Sequence, residues 1–375
     1  MSVAARLVPL AELDEATLAA WSELGQRCQH RPNPFSMPQF VLPAARWLTP
    51  SRPPSVLLVE KACAGERRLI GAGCFSIEPA SWFVPIPHLA EYGTRHSFRS
   101  GMLHEDDQAL AVAEAVAVFL AGPGSRGRLH ALSLRNVRAA CPLLQALQSQ
   151  SVTRTRWIER SRFLRPVLGV DPGVDPENSL KRSARKDLAR RRRRLEELAT
   201  FQVRVRLNPG CDAQTAESHL ALEHDGWKGH AGSAMLCTPA EAGFFRELAA
   251  RHRDLGDQCG LVFSELLADG EVIASTSNFL LGDSLSAFKT GWRASHAAYS
   301  PGRLNEVELC RRLPELMPQV RTFDSLSKPD SYLAELLPDR EVICSGVLAM
   351  GRMGEAAMRA ARLVRPIAYW RDRDD

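Results

Sequence analysis

The stretch HLALEHDGWKGHAGSAM, residues 219 to 235, concentrates side chains that can exchange protons and hold charged groups. Glu223, His224, Asp225 and Lys228 fall within six positions, where an amphipathic helix gives way to a glycine-rich loop. A carboxylate at such a helix end can serve as a general base. Glu223 is the first candidate for that role, with Asp225 and His224 as alternatives. The same letters also fit a helix end whose polar side chains are simply solvated, and both interpretations stay open here.

A second candidate site lies in the segment KTGWRASHAAYSPGRLNEVELCRRL, where a strand is predicted to end and a helix to begin at Ser300 and Pro301. The first turn of a helix has unpaired N–H groups and the positive end of the helix dipole, which together bind phosphate. Gly302 would let a ligand approach the backbone closely. Arg303 opposes the dipole unless it helps to neutralise a bound anion. We therefore predict an anion site from Tyr299 to Arg303, although a helix start with an outward-pointing arginine explains the same residues.

Turn signals define the elements that would position these residues. Residues 261 to 292 predict three strands, joined by turns at Asp269-Gly270 and Gly282-Asp283. The letters TPAE at 238 to 241 predict a capped helix start. A further strand is predicted from residue 320.

The first half of the chain has a similar mixture of elements. Residues 8 to 24 predict a helix that ends at Gly25. Strands are predicted at 55 to 62 and 68 to 79, followed by a buried helix at 107 to 121.

The length and composition predict a globular protein of two domains. The chain has 375 residues, of which 45% are hydrophobic and 24% charged. A proline-containing segment at 171 to 178 separates predicted domains at 1–175 and 176–375. Nine scattered cysteines without a C-x-x-C pair favour reduced thiols, a cytoplasmic location and no metal site. The longest apolar run is too short to cross a bilayer, so no transmembrane segment is expected.

The segment from 181 to 194 is strongly basic. It holds nine Lys or Arg and one Asp, a net charge of +8, whereas the whole chain carries +5. Its leucines fall close to a helical stripe, which predicts a linker helix over 179–199 with Ser179 as its N-cap. The helix is either a solvated surface element or an arm for a polyanion or an acidic carrier protein.

Several stretches in this order resemble a known family. They are LALEHDGWKGHAGSAM, the hairpins, FKTGW, YSPGRL and TFDSLSKPDSYL. They resemble the GNAT-type acyltransferases of the cellulose-biosynthesis acetyltransferase group, which are related in fold to FemAB-type aminoacyltransferases. The similarity covers about 180 to 350 well, and the first half is similar more loosely, as a degenerate first copy.

The resemblance implies an α/β (α+β) fold of two tandem GNAT-like domains, the second with a basic linker helix. Each domain would be a mixed, largely antiparallel sheet flanked by helices. It also implies an acyl thioester donor of the acyl-CoA type, with its pyrophosphate on the helix that begins at Ser300. The acceptor would be a small molecule or a carrier-bound group.

Direct acyl transfer to an amine or hydroxyl needs a base, donors for the oxyanion and an acid for the leaving thiolate. The resemblance assigns the acid to Tyr332, and Glu223 would be the base. Lys289 and Asp324 are further catalytic candidates, although Lys289 also fits a sheet ion pair and Asp324 a loop cap. The residues expected to bind substrate are Asp225, Trp227 and Lys228, although a tryptophan such as Trp227 is more often a core anchor than a ligand contact.

The chain departs from the family at two positions. HAAYSPGR replaces the usual phosphate loop with its spaced glycines, and Leu333 follows Tyr332 where relatives often have Lys. Two other functions therefore stay open beside acyl-CoA-dependent transfer. One is an aminoacyl-tRNA-dependent transferase that uses the 181–194 arm, and the other is a non-catalytic scaffold for a polyanion or an acidic carrier protein.

Overall fold

The structure is a computed structural model, which describes residues 2–63, 66–82, 84–122, 129–149, 154–173, 175–207, 212–253, 255–256 and 259–364. The elements of the first half are β1 (Val3–Pro9), α1 (Glu15–Arg27), α2 (Pro38–Pro43), β2 (Ser55–Cys63), β3 (Glu66–Glu78), β4 (His88–Glu91), β5 (Leu103–His104), α3 (Ala109–Ala121), β6 (Ala131–Arg138), α4 (Pro142–Gln148) and β7 (Thr155–Gly169). The elements of the second half are α5 (Arg182–Glu196), β8 (Phe201–Leu207), α6 (Ala213–Asp225), α7 (Trp227–His230), α8 (Pro239–His252), β9 (Gly260–Ala268), β10 (Glu271–Leu281), β11 (Ser284–Trp292), α9 (Pro301–Leu316), β12 (Thr322–Asp324), α10 (Leu333–Leu336), β13 (Asp339–Met350) and α11 (Gly351–Val364).

The chain folds into two compact units, neither of which is one continuous segment. Unit 1 comprises Met1–Val41, Thr49–Leu164 and Glu341–Asp375. Unit 2 comprises Leu42–Leu48 and Arg165–Arg340.

The sheet of unit 2 has the strand order β8-β9-β10-β11-β12-β7. The neighbours β8/β9, β9/β10, β10/β11 and β12/β7 are antiparallel, and β11/β12 is parallel. Helix α9 connects the two parallel strands, because a parallel pair needs a crossover rather than a hairpin. The core of this unit includes Leu304, Leu309 and Leu313 of α9.

Unit 1 repeats the same pattern with other residues. Its sheet has the order β1-β2-β3-β4-β6-β13, in which only β4/β6 is parallel, and β5 adds to β3. Helix α3 connects β4 to β6, and Val112, Val116 and Leu120 of α3 are buried in the core. The predicted fold class, with mixed and largely antiparallel sheets flanked by helices, is confirmed.

The limits of the two units differ from the division at 175/176 that the sequence suggested. The change-over lies between Leu164 and Arg165, and the residues from Glu341 onward belong to unit 1. The reason is strand pairing: β13 pairs with β6, and the end of β7 pairs with β12. Each sheet therefore recruits its last strand from a distant part of the chain.

Local predictions from turns and caps are confirmed in unit 2. Strands β9, β10 and β11 and both of their turns lie as predicted. Helix α8 begins at Pro239, and the Thr238 side chain accepts a hydrogen bond from the N–H of Glu241. Helix α9 begins at Pro301, with Ser300 as its N-cap.

Three predictions of helix ends are wrong. Residues 8 to 24 do not form one helix, because β1 ends at Pro9 and α1 begins only after its N-cap Asp14. Gly25 lies inside α1, where a Cβ would come within 1.9 Å of the Met37 sulfur, so close packing rather than helix termination requires glycine. The N-cap of α5 is Lys181 and not Ser179, which ends a preceding 3-10 turn.

No helix among the described residues is both long enough and apolar enough to span a membrane.

Candidate active site

The two parallel strands of unit 2 separate after a short paired section. Strand β11 pairs with β12 only over Ser284–Ser286 and Thr322–Asp324. Strand β11 then continues to Trp292, whereas β12 ends at Asp324. The separation opens the sheet beside the start of α9, and ligands of α/β proteins commonly bind at such places.

The start of α9 lies against the open part of β11. Ser300 has a left-handed backbone (φ 51°, ψ 54°), and its side chain makes no capping hydrogen bond. A Cβ on Gly302 would lie 3.2 Å from Cε3 of Trp292 and 3.5 Å from Oγ1 of Thr290. The helix start and the strand are thus in van der Waals contact, with glycine at the contact point.

Two buried polar atoms beside Gly302 have no hydrogen-bond partner among the described residues. They are Oγ1 of Thr290 and Nε of Arg303. Buried polar atoms are nearly always paired in folded proteins, so these two mark a place where polar ligand atoms fit. The same guanidinium uses Nη2 to pair with Glu335 at 3.0 Å, a contact at the surface.

Glu223 is buried, and both of its carboxylate oxygens are engaged. Oε1 lies 3.0 Å from Nζ of Lys228, and Oε2 accepts the backbone N–H of Met235 at 3.0 Å. Lys228 also donates to the carbonyl of Thr290 at 3.0 Å. Burial by itself would raise the pKa of Glu223, but the charge of Lys228 and the N–H of Met235 hold it below its usual value. Glu223 and Lys228 therefore join α6, the following loop and β11.

Glycine permits this arrangement at the strand. A Cβ on Gly291 would lie 2.3 Å from the backbone nitrogen of Glu223, so α6 packs directly on the backbone of β11. Asp225, the last residue of α6, accepts the backbone N–H of Ala294 at 2.8 Å. The opening stretch of the sequence is therefore tied to β11 at both Glu223 and Asp225.

A buried histidine lies one turn before Glu223 on α6. His219 is fully buried, with Nδ1 2.9 Å from Oγ of Ser275 and Nε2 3.3 Å from Oγ of Ser277. Burial, which disfavours the charged ring, lowers its pKa to about 4. The imidazole is thus neutral at physiological pH and is held by two hydroxyls of β10.

A carboxyl–phenol pair joins α9 to Tyr332, the N-cap of α10. The Tyr332 hydroxyl donates a hydrogen bond to Oε2 of Glu306 on α9 at 2.5 Å. Burial raises the pKa of Glu306 to about 7, against the hydrogen bond from Tyr332 and the charges of Lys228 and Arg303. Burial of the hydroxyl, followed by the charge of Glu306, raises the pKa of Tyr332 well above its usual value. Tyr332 as a whole residue is 42% exposed although its hydroxyl is buried, so it lies between the buried acid and the surface.

Lys289 lies on β11 beside an irregularity of the sheet. The register between β10 and β11 shifts between Ser277 and Asn278. Such a bulge bends the strand and increases its local twist. The Lys289 ammonium lies 5.3 Å from the centroid of the Phe288 ring.

The remaining predicted site residues, Asp324, Trp227 and Tyr299, differ in their burial and contacts. Asp324 is fully buried; its Oδ1 accepts the N–H of Leu326 and its Oδ2 lies 3.8 Å from Arg165. Trp227 is 60% exposed, so it is not a core anchor. Tyr299 is partly buried against the core of unit 2.

Sequence reasoning brought Glu223, Asp225 and Lys228 together but missed Thr290, Glu306 and His219 as parts of the same region. A signal was present for Glu306, which follows Gly302 by about one helical turn in a helix otherwise apolar on that side. No local signal marks Thr290, because only its place opposite Gly302 makes its hydroxyl notable. Among the described residues, no group of three or more His, Cys, Asp or Glu side chains is placed to hold a metal ion.

Comparison with known families finds a similarity within the second unit. Residues 182–332 match the family model described as "Acetyltransferase (GNAT) domain". This segment is therefore similar to GNAT acetyltransferase domains. Its first residue begins α5 and its last is Tyr332, so the matched segment contains the open strand pair and both residue pairs described above. The match supports an N-acyltransferase, whereas membership of the cellulose-biosynthesis group stays a prediction.

Solved structures share the fold over nearly the whole chain. FemX aligns with a TM-score of 0.54 at 9% identity, covering 92% of this chain and 98% of its own. A conserved protein of unknown function from Bacteroides thetaiotaomicron VPI-5482 aligns at 0.51 and 12%, covering 91% and 99%. The C-terminal domain of a putative lysylphosphatidylglycerol synthetase from Agrobacterium fabrum aligns at 0.50 and 10%, covering 93% and 95%. No curated protein sequence matches the chain.

Proposed function

We propose that the GNAT-like segment transfers an acyl group from an acyl-CoA-type thioester to an amine or hydroxyl of an acceptor. The observation that carries the proposal is the separation of β11 from β12 beside the start of α9. The acceptor would be a small molecule or a carrier-bound group, and the reaction would proceed by direct attack. Cysteines without disulfide bonds at the described positions fit a cytoplasmic setting.

The residues around Gly302 suit the anionic part of such a donor. The N–H groups of the first turn of α9 are left uncapped by the Ser300 side chain. Thr290 Oγ1 and Arg303 Nε supply two buried polar atoms in need of partners. In this proposal the thioester supplies the activated acyl group, and Ser300 to Arg303 hold the donor's phosphates, with Tyr299 beside them.

The open strand would also supply a charge for the developing oxyanion. Lys289 lies on the section of β11 beyond its pairing with β12, next to the register shift against β10. A positive charge that is in place before the reaction stabilises a tetrahedral intermediate. Lys289 would also favour an acidic acceptor.

We assign Glu223 a holding role in place of the base role expected from sequence. Both of its oxygens are occupied and its pKa is lowered, so it is a weak proton acceptor. With Lys228 it would fix the loop that carries Trp227, whose exposed indole is available to an acceptor. Asp225 would support the same loop through Ala294, and Asp324 would support the turn after β12. The proton lost by the attacking amine would then pass to solvent water.

The leaving thiolate needs an acid, and Tyr332 fits that role. Its hydroxyl is held by Glu306 and its ring reaches solvent. A tyrosine with a raised pKa stays protonated throughout the physiological range, so it can donate when the thiolate forms.

Calorimetric titration with acetyl-CoA and CoA tests the donor site. Thr290→Val should weaken binding about tenfold, the value of one lost hydrogen bond to a charged ligand. Ser284→Ala is the matched control, because Ser284 Oγ is also buried without a partner but lies at the far end of β11. Absence of binding at millimolar ligand, or equal loss in both variants, would reject the site.

The basic helix α5 favours a second candidate, an aminoacyl-tRNA-dependent transferase. Leu188 and Leu195 are buried, while the opposite face exposes cations. Asp187 pairs with Arg190 and Arg191, and Arg192 pairs with Glu177 at 3.0 Å. The exposed cations that remain are Lys181, Arg182, Arg185, Lys186, Arg193 and Arg194.

A salt titration of tRNA binding distinguishes this candidate. Affinity should fall steeply between about 50 and 200 mM salt if the arm neutralises several phosphates. Replacement of Arg182, Arg193 and Arg194 by Gln should reduce the slope of log affinity against log salt concentration. Arg192→Gln should instead act mainly on stability. If tRNA does not bind, or binds without salt dependence, the acyl-CoA reaction and a non-catalytic scaffold remain.

A further inference from the structure

Glu306 occupies a position where a carboxyl group has no structural necessity. It lies on α9 among the buried residues Asn305 and Val307 and is itself only 3% exposed. A hydrophobic side chain would normally be more stable there, since burying a carboxylate is costly. The only hydrogen bond to its carboxyl group among the described residues comes from the hydroxyl of Tyr332.

The charged and titratable groups around Glu306 come from three elements. Lys228 of α7 and Arg303 of α9 favour its ionised form, although neither pairs with it directly. Cys310, one turn further along α9, is buried, and burial followed by the charge of Glu306 raises the pKa of its thiol beyond the physiological range. Tyr332 is therefore the one group in hydrogen-bond contact with which Glu306 can exchange a proton.

We propose that Glu306 is a proton source that acts through Tyr332 on the leaving group, an inference that rests on the proposed acyl transfer. The geometry is the 2.5 Å contact between Tyr332 Oη and Glu306 Oε2, together with the partial exposure of Tyr332 beside a buried Glu306. Glu306 touches neither substrate nor donor, so it is a positioning residue.

The step balances as follows. Attack of the acceptor nitrogen forms the C–N bond, and the C–S bond breaks with its electron pair leaving on sulfur. Neutral Glu306 becomes the donor across the 2.5 Å contact, which frees the Tyr332 hydroxyl proton for the sulfur. The thiolate takes the proton of Tyr332 Oη, and the phenolate oxygen takes the proton of Glu306. The acceptor releases one proton to water, and Glu306 recovers one from water through Tyr332, so no net proton is consumed.

This arrangement solves a problem that Tyr332 alone would have. A tyrosine beside an ionised carboxylate holds its proton tightly, so it is a weak acid toward a thiolate. With neutral Glu306 the developing phenolate is protonated as it forms, which lowers the barrier. Activity that depends on this relay therefore requires the protonated form of Glu306.

The pH dependence of the full-length chain tests the proposal. Release of the CoA thiol from acetyl-CoA is followed between pH 5.5 and 9, with ethanolamine or water as acceptor. Wild-type kcat should fall about tenfold per pH unit above about pH 7, where Glu306 ionises. Glu306→Gln should lower kcat at pH 6 about tenfold or more and remove this fall, because an amide does not titrate.

Tyr332→Phe and the double variant separate a relay from a purely structural role. Each single variant should lower kcat by about the same factor. The double variant should lower kcat no more than Tyr332→Phe alone. A structural role would lower kcat and leave the shape of the pH profile unchanged. Rates with ethanolamine are compared at equal concentrations of its unprotonated form, so that ionisation of the acceptor does not enter the profile.

A spectroscopic readout does not depend on turnover. The chain has four tyrosines, so ionisation of Tyr332 is resolved as the difference in absorbance between a parent protein and its Tyr332→Phe counterpart. Removal of the charge of Glu306 should move this ionisation to lower pH in Glu306→Gln.

The outcomes distinguish two failures. A wild-type chain that binds acetyl-CoA but shows no fall above pH 7, or the same fall in Glu306→Gln, overturns the relay and leaves the donor site intact. Failure to bind acetyl-CoA overturns the proposed function, and an unmoved Tyr332 ionisation overturns the pairing itself.

Discussion

The buried carboxyl of Glu306 makes a quantitative prediction about stability. Its pKa rises from 4.5 to about 7 on folding, because the folded protein disfavours the charged form. The folded state therefore binds the Glu306 proton more tightly than the unfolded state. Stability from this residue is complete below pH 4.5 and is lost as the pH rises to 7.

The magnitude follows from the same shift. Each tenfold change in proton affinity corresponds to about 1.4 kcal/mol, so the loss is about 3 kcal/mol once Glu306 is ionised. The residue is only 3% exposed, so solvent screening reduces this value little. Glu306→Gln carries no such cost and keeps an acceptor for the Tyr332 hydroxyl. The variant should therefore gain stability relative to wild type as the pH rises from 4.5 to 7.

Urea denaturation of both proteins at half-unit pH steps from 4 to 9 measures the difference. The difference in free energy of unfolding should grow over this window and then stay constant. Glu315→Gln is the control, because Glu315 lies on the same helix but is exposed, and its difference should stay flat. A flat difference for Glu306→Gln as well would refute the claim that burial controls this carboxyl.

Three further predictions concern the same region. Gly291→Ala should destabilise the chain by about 2 kcal/mol or more in urea denaturation, because the new methyl would overlap the backbone of Glu223, whereas Gly173→Ala should be nearly neutral. Lys228→Met should lower the free energy of unfolding by about 3 kcal/mol at pH 7 and by less at pH 4, because loss of the ammonium lets burial raise the pKa of Glu223. Equal losses at both pH values would contradict this. Thr290→Val should stabilise the ligand-free chain by about 1 kcal/mol in thermal unfolding, since it removes an unpaired hydroxyl; a destabilised variant would mean that the hydroxyl has a partner.

The sequence predicted what is local in this fold. The turns at Asp269-Gly270 and Gly282-Asp283 have the residues that tight hairpins need, so β9 to β11 follow from neighbours in the chain. The Thr238 cap and the start of α9 depend likewise on a few adjacent residues.

The failures involve partners that are distant in sequence. The predicted helix over 8 to 24 includes the end of β1, Val8 and Pro9, because the β2 residues that pair with them lie some fifty residues away. Gly25 was read as a helix end because the Met37 side chain that excludes a Cβ was not visible. The candidate site follows the same division. Glu223 and Lys228 are five residues apart. Thr290 and Gly302, and likewise Glu306 and Tyr332, lie on different elements and meet only in the folded structure.

The exchange of edge strands has a consequence for synthesis on the ribosome. Everything that unit 2 requires has been translated by Arg340, whereas unit 1 lacks the partner of β6 until β13 emerges. The later half of the protein can thus complete its sheet before the earlier half. A fragment that stops before β13 should leave the β6 edge open and prone to aggregation, and no cut at a single point separates the two units from each other.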